Sequence, residues 1–381
     1  VKAVDATELL VELERPTSWF LGMTAHWAFA PLCREIDQRH PGWAYHSAET
    51  YVCNGPFKLD VWKLNDELQL VPNPYYWDQK KITLGKIQVK IVEDQEVALS
   101  LFKEGELDWL GDPMTKIPLA KINELKTQGV LHTDPISCLF WLQLNLTRPP
   151  MTNLKVRQAL SRAICRRTLI SSILKSDDAP AYSFTNTPLF EEMDQSHALT
   201  LFNEGLYELK IPRSQLPPFA FYTSDFEEHE KISEAIAKMW GDTFGIEIRL
   251  EKLNWDAFVS ALIGGEHTVA AIPWYPRYDE TLLYYLSLFS IKGKTIDPIS
   301  FVTMWSHKQF ADLFEAAQNE EDPIKRLNIL KQAEKILIEA MPVIPLFFQK
   351  LRYIKNSRLQ NVILSNIGQI DFRESYISRS D

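Results

Sequence analysis

No stretch of the 381 residues is an uninterrupted apolar run of the ~18 needed to cross a hydrocarbon core, so no bilayer-spanning helix is expected. A basic leader followed by a short apolar segment and a cleavage site is also missing, so no signal peptide is recognised. Clustered basic residues are scarce. The net charge is −9, and the nearest thing to a basic patch is Arg162, Arg166 and Arg167. Those three read as the polar side of one helix, and no nucleic-acid partner is expected. The four cysteines, Cys33, Cys53, Cys138 and Cys165, lack C-x-x-C spacing. Free thiols are the simpler expectation, with Cys33–Cys53 the first pair to test for a disulfide.

Motifs of chemistry are missing too. There is no G-x-S-x-G, no H-E-x-x-H and no P-loop. Asp108 and Asp112 flank Trp109 but read as part of a Gly-Asp turn. The eight histidines are scattered and suggest no metal cage. Neither an enzyme nor a cofactor is expected.

What is present is a globular composition with many rings. Hydrophobic residues make up 45% and charged residues 24%, while aromatics reach 12%, with 11 Trp. Packing absorbs rings, and so does a wide cleft that holds varied ligands with few polar contacts. The length exceeds one compact core, so two domains or two lobes are expected.

Residues 1–14 alternate as a strand would, so the chain reads as starting inside a folded element and as truncated. Turn signals at Pro41-Gly42 and Asn54-Gly55 precede two strands, Phe57–Leu64 and Glu67–Pro72. Lys86–Ile91 reads as a strand and Asp94–Lys103 as a helix with Asp94 as its N-cap. A short helix, Pro118–Thr127, a ring-rich strand, Ser137–Leu146, and a basic helix from Asn153 to about Leu174 follow. After an irregular stretch the order is strand Phe219–Tyr222, helix Glu227–Phe244, strand Ile246–Leu253, helix Asp256–Ile263 and strand Thr268–Trp274. That alternation predicts a mixed or parallel sheet flanked by helices. A helix from Pro323 to Ala340 and the strand "VIPLFFQK" close the pattern.

Four segments together are similar to the family 5 solute-binding proteins, the oligopeptide, dipeptide and nickel receptors of ABC importers. They are "CNGPFKLDVWKLNDELQLVPNPYYWD", "VALSLFKEGELDWLG", "FWLQLNLTRPPMTNLKVRQALSRAICRRTLI" and "AEKILIEAMPVIPLFFQKLRYIKN". Each is weak alone, but they occur in the family's order across nearly the whole chain. The resemblance implies an α/β, periplasmic-binding-protein-like two-lobe fold (type II, cluster C) with mixed sheets, lacking the first part of lobe I. It implies lobe I over 1–135, lobe II over 136–344 and a return to lobe I over 345–381.

The implied function is an extracytoplasmic receptor, periplasmic or lipid-anchored at the cell surface. It would capture oligopeptides between its lobes, without chemistry, and hand them to the permease and ATPase subunits of an ABC importer. A monomer is expected. A murein-peptide receptor and the sensing domain of a transcription regulator are the alternatives.

The resemblance also implies site residues. "AAIPWYPRYDE" (270–280) matches the family's cleft strand and loop, with Trp274 at the Trp position and Tyr275 beside it. Where the family places an acidic residue for the ligand's α-amine, this sequence has Arg277, with Asp279 two residues on. A cation there repels an ammonium and favours a carboxylate. Either Asp279 substitutes after a loop shift, or the ligand presents a carboxylate, as a murein peptide with γ-linked D-Glu would. A plain surface ion pair between Arg277 and Asp279 is the third reading. His229 matches a family histidine that can face the ligand's far end, although a solvent-facing histidine at a helix start fits equally. Phe140 and Trp141 lie on the strand that borders the cleft, and core packing explains them as well. A cysteine at the position of Cys138 pairs, in relatives, with one at the position that here is Tyr275, so that disulfide is excluded.

Overall fold

The computed structural model describes residues 1–45, 47–185, 187–190, 193–290 and 305–379. The chain divides into two compact units, Val1–Ala25 with Ser137–Gln349, and His26–Ile136 with Lys350–Asp381. The sequence expectation grouped 1–25 with the residues after it. The structure instead groups them with the larger unit, and the later boundary falls at 349/350.

In the smaller unit, β1 (Phe57–Lys63), β2 (Glu67–Pro72) and β3 (Ile87–Lys90) form an antiparallel three-stranded sheet. Helix α1 (Gln95–Lys103) starts where Asp94 accepts hydrogen bonds from the Glu96 and Val97 amides, as its sequence requires. Strand β4 (Trp109–Gly111) pairs with the last residues of the C-terminal long strand. Gly111 is at φ +111°, and a Cβ there would lie 2.7 Å from the Tyr353 Cα, so that close approach requires glycine.

The larger unit is built on β5 (His132–Leu144), which enters it at Ser137. Alternate residues of β5 face opposite sides of the sheet. Phe140, Leu142 and Leu144 join one core cluster, and Leu139 and Trp141 join another. Helices α2 (Leu154–Arg162) and α3 (Gln195–Glu208) cover the first face. Next come β6 (Phe219–Ser224), α4 (Glu227–Phe244), β7 (Ile248–Leu253), α5 (Trp255–Gly264) and β8 (Val269–Trp274). Helices α6 (Thr281–Ser287), α7 (Lys308–Asn319) and α8 (Pro323–Ala340) follow, and then β9 (Val343–Lys355). The strand order is β7-β6-β8-β5-β9. β6 is parallel to β7 and β8, and β8 is antiparallel to β5, so the sheet is mixed as expected.

Three local readings are corrected. Residues 1–14 do not form one strand: only Lys2–Ala3 and Leu9–Leu10 pair, across a turn in which Asp5 accepts from the Thr7 and Glu8 amides. The helix expected over 153–174 is interrupted: it runs over Leu154–Arg162, breaks at 163–165 and resumes as helical turns over Arg166–Thr168 and Leu169–Ile173. At the start of the second segment Arg166 turns inward and donates to the Ala181, Pro345 and Ser161 carbonyls, bonds that accompany the break. Helices α3, α6 and α7 had no counterpart in the sequence reading.

Candidate functional site

Strand β8 ends at Trp274, opposite Leu139 of β5. The Trp274 ring is half-buried and stacks on Trp141, with centroids 6.1 Å apart at 20°. Trp141 has no exposed surface and meets Tyr285 and Phe184 edge-on. The Tyr285 hydroxyl lies 2.9 Å from the Trp274 carbonyl and 2.5 Å from that of Ser137, tying the end of β8 to α6 and β5. Burial pushes the Tyr285 phenol well above its ordinary pKa, so it stays a donor. Among the described residues, none hydrogen-bonds the indole N–H of Trp141 or of Trp274.

The loop after Trp274 is fixed by its apolar residues and displays its charged ones. Pro276 is buried, and Tyr278 meets Tyr284 edge-on with centroids 5.3 Å apart. Tyr275, Arg277 and Asp279 are exposed. Among the described residues, no ion pair joins Arg277 to Asp279, and neither side chain takes part in a hydrogen bond. The third reading, a mutual ion pair, is not what the structure contains. The next charge, Glu280, is engaged. Its Oε1 lies 2.9 Å from Nη2 of Arg326, whose Nη1 donates to the Glu320 carbonyl and whose guanidinium lies 5.2 Å from the Trp19 ring centre.

His229 and Phe140 form a separate group on the opposite face of the sheet. His229, in the first turn of α4, is 7% exposed and so does not face solvent. Its Nδ1 lies 2.5 Å from the Ser224 hydroxyl, and its ring meets the edges of Phe140 and Phe226. Phe140 is stacked on Phe347 and is 1% exposed. The structure therefore gathers Trp141, Trp274, Tyr275, Arg277 and Asp279 at one strand end, and places His229 with Phe140 elsewhere. Phe140 and Trp141 present no surface to solvent.

All four cysteines are free, including Cys33 and Cys53, and Cys138 is buried with its Sγ 3.5 Å from Gln349 Oε1. Among the described residues no group of three or more His, Cys, Asp or Glu could hold a metal. A cavity of about 510 Å3 in the smaller unit, lined by Ile87, Val89, Leu110, Met114 and Phe372, contains none of the residues expected from the sequence. Glu280, Arg326, Trp19 and Tyr285 were not anticipated. Nothing local marks them, since Arg326 acts on a residue 46 positions away.

Residues 1–295 match the model of bacterial extracellular solute-binding proteins, family 5 Middle. The chain belongs to this family. Proteins similar to it include the oligopeptide-binding protein OppA of Bacillus subtilis, 29% identical over 99% of this chain and 70% of that protein. The periplasmic murein peptide-binding protein MppA of Escherichia coli is 27% identical over 91% of this chain and 64% of that protein. Among solved structures, a periplasmic oligopeptide-binding protein of Borrelia burgdorferi, OppAIV, is 25% identical with a TM-score of 0.84, covering 96% of this chain and 72% of that one. The family match and this fold likeness agree with the α/β, periplasmic-binding-protein-like architecture read from the four sequence segments.

Proposed function

We propose that this chain is the ligand-binding part of an extracytoplasmic receptor that captures oligopeptides and passes them to the permease and ATPase subunits of an ABC importer. It would work as a monomer, in the periplasm or held at the cell surface as a lipoprotein. Family membership over residues 1–295 supports a solute-binding role, and the relatives' names supply the peptide class.

The observation that carries the reading is the loop after β8, where an unpaired cation and an unpaired anion, Arg277 and Asp279, stand beside Trp274 on a buried support. A carboxylate left without a protein partner at a strand end suits the amino terminus of an extended peptide, the cation beside it suits a carboxylate near that end, and the peptide main chain supplies the remaining hydrogen bonds. In this reading Trp274 and Tyr275 contact the ligand, Trp141 supports Trp274 from beneath, and His229 and Phe140 shape the sheet behind the site.

The unpaired Arg277 favours a second ligand within the same class. A murein peptide carries a branch carboxylate that an ordinary peptide lacks, and the guanidinium can bind it in a two-pronged fork.

Native mass spectrometry of the protein purified without denaturation, before and after incubation with mixed short peptides, tests the proposal. Added masses of many peptides are expected, or one muropeptide mass if the second reading holds. Protein that takes up no peptide mass from the mixture would contradict both.

A further inference from the structure

The ligand-site loop carries three charges, and only one is neutralised by the protein. Glu280 is held by Arg326, a side chain only 3% exposed, while Arg277 and Asp279 remain open. Arg326 is itself fixed on three sides, by Glu280, by the Glu320 carbonyl and by the ring of Trp19. Glu280 keeps 38% of its side chain exposed, so it is a carboxylate near solvent within three residues of the Arg277 guanidinium. Arg277 and Glu280 lie three residues apart in the loop before the helix that starts at Thr281, and both side chains are long enough to span that separation.

Resting on the proposed ligand site, we infer that Arg326 is a positioning residue whose hold on Glu280 keeps Arg277 free to bind a ligand carboxylate. Without that hold, Glu280 swings onto Arg277, neutralises it and competes with the ligand. Arg326 thus sets the selectivity of the loop without touching what the loop binds. Asp279, in contrast, makes no ion pair with Arg277 in this arrangement, and its backbone carbonyl accepts from the Thr281 amide at the start of the helix.

The mechanism predicts a pattern that loss of structure alone does not produce. In Arg326→Gln, the affinity for a carboxylate-bearing peptide falls about three- to fivefold, the scale of an exposed ion pair formed in competition. Its ester or amide analogue, which makes no claim on Arg277, loses less. In Arg326→Gln with Glu280→Gln, the competitor is gone and affinity returns toward wild type. Glu280→Gln alone binds as wild type does.

The measurement is calorimetric titration of the four proteins with the acid and its amide, each variant first checked for an unchanged melting profile. If Arg326→Gln does not fold, Arg326→Lys, which keeps the cation but loses the second bond, carries the same test with a smaller loss. A double variant as weak as or weaker than the single one makes Arg326 only a prop of the fold and overturns the inference, as does a single variant that binds like wild type. Should wild type bind no peptide, the ligand site itself fails. Should wild type bind and Arg277→Ala weaken it while the Arg326 variants do not, the inference alone fails.

Discussion

Replacing Asp279 with Ala is expected to remove the preference for peptides with a free amino terminus over N-acetylated ones. Replacing Arg277 with Ala is expected to weaken peptides that carry a carboxylate near that end. Each side chain is exposed and has no partner among the described residues, so its charge is available to a ligand and little of the fold depends on it. A hydrogen bond to a charged group contributes about 1.5–3 kcal/mol, so each loss should be about ten- to a hundredfold in Kd. Because the loop is exposed, both effects should shrink as salt rises. Competition binding of free, acetylated and amidated peptides to wild type, Arg277→Ala and Asp279→Ala checks this. If neither variant changes any of these affinities, the loop does not bind the ligand's ends.

The second large effect is on acid stability. His267, in the turn leading into β8, has no exposed surface, and among the described residues none hydrogen-bonds either ring nitrogen. Burial, helped by the nearby Arg148 cation, lowers its pKa from 6.5 to about 4. The folded protein therefore holds it neutral, while the unfolded chain takes up a proton below 6.5. The contribution to stability is complete above pH 6.5 and is lost as pH falls through the interval down to about 4. The slope is about 1.4 kcal/mol per pH unit, for a total of about 3 kcal/mol. In His267→Phe that loss is absent, so its melting temperature should fall less between neutral and mildly acid pH than that of wild type. Any packing cost of the larger ring is the same at every pH, so only the difference in slope matters. Equal slopes would mean that His267 does not titrate as its burial requires.

How much was legible in advance follows from how local each signal is. Helices α4 and α8 were read with both ends correct, because their boundaries are written in neighbouring residues. α4 is followed by Gly245 in the left-handed region, and α8 starts with Pro323 behind the Asp322 cap. The break after α2 was missed because the apolar periodicity continues past Arg162, while the bonds made by Arg166 reach residues 181 and 345, far along the chain. Helix α6 was missed because Leu282, Leu283, Tyr284, Tyr285 and Leu286 are all buried, leaving no polar face to set a period of 3.6.

The site divides in the same way. Trp274, Arg277 and Asp279 were proposed from resemblance to a family segment, and the structure places them together at one strand end. The reason Arg277 stays unpaired was not legible, since Glu280 is held by Arg326 and Arg326 is covered by Trp19 from the first 25 residues. Phe140 and Trp141 looked alike as adjacent rings on one strand. Only the sheet, with a core on each face, separates the Trp that supports the loop from the Phe that packs against His229.

The central claim, that the loop after β8 holds an extended peptide by its amino end and main chain, is tested most directly by calorimetric titration of the wild-type protein. The ligands would be short peptides of one length with different side chains, together with their acetylated and amidated forms. Affinities of the same order across the side-chain series, and a loss of about tenfold or more on blocking a charged end, are the predicted result. Binding that tracks side-chain identity and ignores the blocked ends, or no heat with any member of the series, would contradict the account.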